Sequence, residues 1–224
     1  MFERNNRLNL LKPRQFIALM QVALVVVLPS LYLPIYANKF PVTVIDDRNV
    51  AVTITKKPQK VAAISTFAAD MLASLNQQAV GLSTLNHKQS AYLPKPEQAY
   101  VDLGEIHESN LELLTQLEPD LIVGLRQYTD PFADKFSNIA NFLAYDLITY
   151  QDSINAVNSL GKALGEPEKS IILNQQFEQL LKQYNQEVPG ELSAVLLWDW
   201  SGTLFAFYDH SFSVEIMKYL KVKN

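Results

Sequence analysis

Residues 102–124, DLGEIHESNLELLTQLEPDLIVG, contain a complete strand–helix–strand pattern. The apolar segment Tyr100–Leu103 predicts a strand, and Asn110–Leu117 has the apolar spacing of a helix. Pro119 ends that helix because proline cannot donate the backbone hydrogen bond that a helix needs. Leu121–Val123 is short and apolar, which predicts a buried second strand. Such a unit is typical of an α/β fold with a parallel sheet.

The same alternation continues on both sides of this stretch. Upstream, Val61–Ile64 predicts a strand, Phe67–Leu75 a helix and Ala79–Leu82 another strand. Downstream, Pro131–Ile139 predicts a helix and Phe142–Tyr145 a strand. The sequence therefore predicts one α/β lobe with a largely parallel sheet.

Three further segments flank this lobe. Val42–Ile45 and Ala51–Ile54 alternate apolar and polar residues around a turn, which predicts a hairpin. After the lobe, Asp152–Leu164 and Glu168–Glu187 each predict a helix, and the second would be about 30 Å long. Beyond them, two strands and a helix begin a second strand-rich unit, at Ala194–Trp198, Leu204–Phe207 and Phe212–Leu220.

The composition excludes several classes of protein. The chain has 224 residues with 19 basic and 23 acidic side chains, and its net charge of −4 gives no reason to expect nucleic acid binding. The absence of Cys excludes disulfides, thiolate metal sites and cysteine nucleophiles. The seven glycines include no G-x-G spacing, which excludes the common glycine-rich nucleotide loops.

The N-terminus has the pattern of an export signal. Residues 1–14 carry four basic residues and one acidic residue, and residues 16–37 carry no charge. This pattern predicts a signal peptide over residues 1–37, cleaved after Ala37. A retained membrane anchor is the alternative, because about 20 apolar residues can span a bilayer. Taking away four of 19 basic and one of 23 acidic residues leaves a net charge of −7, and an acidic exported chain without Cys fits a periplasm.

Four stretches resemble one protein family. They are PVTVIDDRNVAVTITKKPQKVAAISTFAADMLASL at 41–75, AVGLSTLNHKQ at 79–89, the central stretch at 102–124, and GTLFAFYDHSFSVEIMKYLKVKN at 202–224. Together they resemble the substrate-binding proteins of iron-siderophore and vitamin B12 ABC importers, with the ferric-hydroxamate subgroup most similar.

The resemblance implies a two-lobed α/β fold in which a single long helix links the lobes and a ligand lies between them. It places an N-terminal lobe at 38–150, a helical segment with the linking helix at 151–188, and the start of a C-terminal lobe at 189–224. Because the family's second lobe is as large as its first, the resemblance also implies that the second lobe here is incomplete.

Ligands of open α/β sheets bind beyond the carboxyl ends of the strands. The predicted strands place four groups of candidate residues there, in the first lobe: Ser65 and Thr66, Asn86 and His87, Ile106 and His107, and Arg126 and Tyr128. The resemblance implies that Tyr128 contacts the ligand. Arg126 is expected to contact chelate oxygens, because a guanidinium can bind two acceptors at once. Ordinary exposed loop side chains are the alternative for both.

One position departs from the family pattern. Hydroxamate binders carry an Arg two residues after the glycine of their D-x-G motif, and this chain has Ile106 there. The missing cation weakens the expectation of a hydroxamate chelate, although His107 beside it can donate a hydrogen bond instead. An exposed histidine without a ligand is the alternative for His107.

The second lobe supplies aromatic candidates. Trp198 and Trp200 share one strand face by the two-residue period, and they are expected to form a wall opposite Tyr128. Packing inside the second lobe is the equally weighted alternative. Tyr208 and His210 precede a predicted helix and are expected to face the same cleft.

Glu112 is the expected contact with a membrane partner. It lies in the first turn of a predicted helix, where a carboxylate also suits the helix dipole. In the family, one surface glutamate in each lobe docks onto arginines of the permease, and Glu112 matches the first-lobe position. Support of the helix dipole alone is the alternative. Glu215 lies too early in the second lobe to be assigned as that lobe's docking glutamate.

The sequence therefore predicts a periplasmic binding protein, not an enzyme. The expected ligand is a ferric siderophore of hydroxamate or carboxylate type, whose iron arrives chelated, so no cofactor or protein metal site is expected. The expected partner is an inner-membrane ABC permease, and the protein is expected to be a monomer. Vitamin B12 and haem are the alternative ligands. An exported α/β enzyme using Glu105 and His107 is the alternative of another class.

Overall fold

Strands and helices alternate in the computed structural model, which describes residues 40–93, 100–189, 192–207 and 209–223. The strands are β1 (Val42–Ile45), β2 (Ala51–Ile54), β3 (Val61–Ala63), β4 (Ala79–Thr84), β5 (Val101–Glu105), β6 (Leu121–Leu125), β7 (Asn141–Tyr145), β8 (Leu197–Trp200) and β9 (Thr203–Ala206). The helices are α1 (Thr66–Ser74), α2 (Leu111–Gln116), α3 (Arg126–Thr129), α4 (Ala133–Ser137), α5 (Tyr150–Ala163), α6 (Pro167–Glu187) and α7 (Phe212–Tyr219).

A five-stranded parallel sheet in the order β5-β4-β3-β6-β7 lies at the centre. Its middle strands are short and apolar, and helices cover both faces. One face packs on α1 and α5 and the other on α2 and α4, which gives two apolar clusters separated by the sheet. Strands buried on both faces explain why these segments are continuous apolar runs rather than alternating ones. The predicted α/β fold with a parallel sheet is confirmed.

The predicted hairpin of β1 and β2 is present and antiparallel. Its turn is attached to β7 by the buried carboxylate of Asp46, which accepts hydrogen bonds from the backbone N–H groups of Arg48, Val50 and Ala144. The Arg48 guanidinium completes the cluster, with its Nε 2.6 Å from the Asp46 carboxylate and its carbon 4.4 Å from the centre of the Phe142 ring. The hairpin is therefore part of the first α/β unit.

The long helix α6 packs antiparallel to α5, and small and polar residues form the contact. Gly161 allows a close approach, because a Cβ there would collide with the Ser170 side chain. Buried Asn174 donates hydrogen bonds to the Ile154 carbonyl and to the Asn158 side chain, at 3.0 and 2.9 Å. These contacts hold the helix in one register against its neighbour.

Helix α7 lies against the helical pair. Ile216 and Leu220 pack on a small cluster formed by Tyr150, Ile154 and Leu181. The β8–β9 hairpin that precedes α7 is antiparallel, and its apolar side chains are largely exposed.

The signal peptide predicted at 1–37 and the candidate Tyr208 fall outside the described residues. Within the described ranges, no helix is both long enough and apolar enough to cross a membrane.

Candidate functional site

The candidate site is the edge of the sheet where the parallel strands end, called here the carboxyl edge. It comprises residues 65–66 after β3, 85–88 after β4, 105–108 from the end of β5, 126–130 after β6, and 146 after β7. The prediction that the first four groups follow strand ends is confirmed, because the strands are parallel and adjacent.

Ser65 and Thr66 form the start of α1. The Ser65 hydroxyl accepts a hydrogen bond from the Ala68 backbone N–H at 3.0 Å, and the residue is 2% exposed. Ser65 is therefore the N-cap of α1, which satisfies one of the free N–H groups that begin a helix. Thr66 is half-buried.

Asn86 and His87 form a tight turn held by one carboxylate. Both have positive φ angles, 53° and 58°. Glu105 accepts hydrogen bonds from their backbone N–H groups, at 2.9 Å from Asn86 and 2.6 Å from His87, and from the Thr84 hydroxyl at 2.9 Å. The bond from the His87 N–H is the main cause that holds the pKa of Glu105 below its ordinary value. Glu105 thus positions the turn and stays ionised.

His107 and Tyr128 meet across the carboxyl edge. Their rings are in edge-to-face contact with centroids 4.8 Å apart, although β5 and β6 are three places apart in the sheet, which is about 14 Å. The loop after β5 and the segment after β6 must therefore lean toward each other over the ends of β3 and β4. His107 is exposed and Tyr128 half-buried, while Ile106 points inward and is only 4% exposed.

Arg126 and Tyr128 belong to the short helix α3, whose four residues give no periodic pattern in the sequence. Arg126 is also not free, because its guanidinium binds both carboxylate oxygens of Asp146 at 2.8 and 2.7 Å. These bonds raise the pKa of Arg126 above its already high value.

The sequence analysis missed Asp146, which belongs to the carboxyl edge, and Asp47, which lies beside it in the β1–β2 turn. The Asp146 backbone N–H donates to the Asp47 carboxylate at 2.7 Å, which joins the β1–β2 turn to the end of β7. Burial is the main cause that raises the pKa of Asp47. The rule that ligands lie beyond strand ends would have found Asp146, since it directly follows the predicted strand Phe142–Tyr145.

The second-lobe candidates lie on the β8–β9 hairpin and the turn after it. Trp198 is 46% exposed, and its ring stacks loosely on Phe207 with centroids 6.5 Å apart. The strand register pairs Trp198 with Phe205 and Trp200 with Thr203 across the hairpin. His210 is exposed in the turn before α7.

Two glutamates differ in what they can offer to a partner. Glu112 is exposed in the first turn of α2, which Asn110 caps. The Glu215 carboxylate is instead engaged inside the molecule, where it accepts a hydrogen bond from the Tyr150 backbone N–H at 2.7 Å. Glu215 therefore joins α7 to the first residue of α5.

Comparison with known proteins identifies the family of this chain. Residues 61–224 match the model of a family described as periplasmic binding protein. The chain belongs to the periplasmic binding protein family. Its relative YhfQ from Bacillus subtilis, named as an ABC transporter substrate-binding lipoprotein, is 25% identical over 152 residues. That match covers 64% of this chain and 46% of the relative, so the chain spans about half the length of this relative.

Solved structures show the same fold. SirA from Staphylococcus aureus, in complex with staphyloferrin B, superposes with a TM-score of 0.71 at 20% identity, over 82% of this chain and 64% of SirA. The iron-uptake ABC transporter substrate-binding protein PiuA from Streptococcus pneumoniae superposes with a TM-score of 0.68 at 27% identity, over 81% of this chain and 66% of PiuA.

Proposed function

We propose that this protein binds a ferric siderophore in the periplasm and delivers it to an inner-membrane ABC permease. The observation that carries the proposal is the contact between His107, in the loop after β5, and Tyr128, on α3, in a chain of the periplasmic binding protein family. The likeness to PiuA, an iron-uptake protein, supports iron as the cargo. The siderophore-bound structure of SirA supports a chelate as its form.

The edge offers the groups that a chelate needs. The Tyr128 ring can cover an apolar ligand face, and its hydroxyl can bond a chelate oxygen. Exposed His107 and the side chain of Asn86 add hydrogen-bond donors beside it. The iron arrives with its coordination sphere filled, so the protein acts on the outside of the chelate and contributes no metal ligand. Trp198, on the β8–β9 hairpin, supplies an aromatic surface.

Delivery requires export and a membrane partner. The basic and apolar pattern of residues 1–37 supports export by a signal peptide. Exposed Glu112 in the first turn of α2 is the proposed contact with permease arginines, because its carboxylate is accessible to a partner. A monomer is the form that we propose for this cycle of capture and release.

Fluorescence titration tests this function against its rivals. The whole chain is titrated with a ferric hydroxamate, a ferric carboxylate chelate, vitamin B12 and haem, while Trp and Tyr emission is followed. We expect saturable quenching by an iron chelate, with the chelate recovered unchanged. Preferential quenching by B12 or haem would assign the protein to another ligand of the same family, and conversion of a ligand into a product would indicate an enzyme.

A further inference from the structure

The guanidinium of Arg126 has two donor edges, and Asp146 occupies one of them. A guanidinium carries five N–H donors in a rigid planar fork. The Nε of Arg126 lies 2.8 Å from Oδ1 of Asp146, and its Nη2 lies 2.7 Å from Oδ2. This side-on pair uses the N–H of Nε and one N–H of Nη2, so both N–H groups of Nη1 and the second N–H of Nη2 stay outside it.

These remaining donors form a second edge on the same guanidinium. Among the residues that the structure describes, none accepts a hydrogen bond from this edge. The edge is accessible, because the Arg126 side chain is 36% exposed. Arg126 also directly follows β6, at the place where open α/β sheets bind ligands. Two parallel N–H groups fit a pair of oxygen atoms, so the second edge is suited to oxygen acceptors on a bound chelate.

Asp146 is fixed by contacts that do not involve Arg126. Strand β7 pairs with β6 in a register that sets Tyr145 beside Leu125, so the ion-pair residues follow paired positions. The Asp146 backbone N–H donates to the Asp47 carboxylate at 2.7 Å. The Asp146 side chain, by contrast, is hydrogen-bonded only to Arg126 within the described part of the chain. The backbone of Asp146 thus joins the turn to the sheet, while its carboxylate sets the orientation of Arg126.

Orienting an arginine in advance favours binding. The side chain is long and flexible, and ordering it when a ligand arrives costs conformational entropy. The ion pair orders the Arg126 side chain before the ligand binds. The hydrogen bond to Asp146 is also the main cause that raises the pKa of Arg126, with Asp130 and Asp47 adding to it, so the guanidinium stays charged.

We propose that Asp146 is a positioning residue, which holds Arg126 so that its second donor edge binds oxygen acceptors of the chelate. The proposal rests on the proposed function and adds to it a ligand contact and the residue that orients this contact. Asp146 acts only through Arg126, because its carboxylate faces the guanidinium and not the ligand. The alternative is an ion pair that only joins α3 to the end of β7.

A double-variant cycle separates these two roles. The whole chain is titrated by fluorescence with ferrichrome and with ferric citrate, and the tighter probe is used for the variants. We expect Arg126→Gln to weaken binding about tenfold or more, because it removes hydrogen bonds from a charged donor. Asp146→Ala should weaken binding about threefold to tenfold, which corresponds to ordering one long side chain. Adding Asp146→Ala to Arg126→Gln should cause no further loss.

NMR supplies a readout that a purely structural role would not change. The side-chain N–H signals of Arg126 are followed with the gallium form of the same chelate, because gallium(III) is diamagnetic and ferric iron is not. We expect the Nη signals of the wild-type chain to shift on saturation. In Asp146→Ala the Nε–H signal should broaden through faster exchange with water. Asp146→Asn, which keeps the shape of the side chain, provides the same comparison if Asp146→Ala folds poorly.

The matched control is Lys57→Gln. It breaks the exposed ion pair of Lys57 with Glu166, whose atoms are 2.6 Å apart. Lys57 precedes β3 and therefore lies at the opposite end of the sheet from the carboxyl edge. Chelate affinity should not change in this control.

The outcomes distinguish the positioning role from the proposed function. Three results would overturn the positioning role and leave chelate binding standing. They are unchanged or tighter binding by folded Asp146→Ala, an equal loss from this change in the Arg126→Gln background, and Arg126 signals that do not shift on saturation. Failure of both chelates to bind the wild-type chain would overturn the proposed function, and the positioning role with it.

Discussion

The imidazole of His107 meets the Tyr128 ring edge to face, and this contact bridges the loop after β5 and helix α3, which follow strands three places apart in the sheet. The pair makes one continuous polar and aromatic surface from two separate segments. Its position over the ends of β3 and β4 coincides with the place where open α/β sheets bind ligands.

Tyr128→Ala should weaken chelate binding by about 1–3 kcal/mol, because it removes a half-buried aromatic contact. The affinity is measured by fluorescence titration with the chelate that binds the wild-type chain. Tyr184→Ala is the matched control, since Tyr184 is about half exposed on α6, away from the carboxyl edge. Equal affinities of the wild-type chain and folded Tyr128→Ala would place Tyr128 outside the site.

The Asn86–His87 turn should depend on pH through Glu105. The pKa of Glu105 is lowered in the folded chain, chiefly by the backbone hydrogen bond from His87. The interactions that lower this pKa stabilise the folded chain in full when the pH is above the ordinary pKa of glutamate. Their contribution is lost as the pH falls through the lowered pKa. NMR titration of the Glu105 carboxyl carbon should give a midpoint below the ordinary glutamate value. A midpoint at or above that ordinary value would show that the hydrogen bonds to Glu105 do not hold the turn.

Asp46→Ala should destabilise the chain by about 3–5 kcal/mol. The change removes a buried carboxylate with three backbone partners and leaves the largely buried Arg48 guanidinium without its counter-charge. The free energy of unfolding is measured with urea. Asp134→Ala on the surface of α4 is the control and should change it by no more than about 0.5 kcal/mol. A similarly small effect of Asp46→Ala would show that the cluster does not hold the hairpin.

Glu112→Arg should reduce iron uptake without changing chelate affinity. The new cation would face the proposed permease arginines, and juxtaposed like charges cost several kcal/mol. Uptake of labelled chelate is measured in cells that depend on this protein, beside the fluorescence affinity. Glu178→Arg is the control because Glu178 is an exposed residue of α6. Normal transport with Glu112→Arg, or an altered affinity, would remove Glu112 from the docking role.

The parallel sheet could be predicted because its strands are short apolar runs separated by helical spacing and by Pro or Gly. Helix α1 begins at Thr66 and ends at Ser74, and each end lies within one residue of the predicted range Phe67–Leu75. The one-turn helix α3 could not be predicted, because four residues are too few to show a period. The sequence places the candidate residues correctly at the carboxyl edge of the sheet, but it does not show which side chains they bind.

Pairings across the edge depend on the tertiary structure. Arg126 and Asp146 are 20 residues apart, and they meet only because β6 and β7 are adjacent and in register. Likewise, strand positions alone would keep His107 and Tyr128 apart, and the loop after β5 and helix α3 bring the rings together. The ion pair of Arg126 was not visible in the sequence, since its counter-charge follows a different strand.

Native mass spectrometry of the whole chain with a ferric siderophore tests the central claim most directly. We expect one added mass per chain, equal to the intact chelate with its iron, and loss of that species with Tyr128→Ala. Retention of iron without the chelating molecule, or no added mass at chelate concentrations that saturate related binding proteins, would contradict the account.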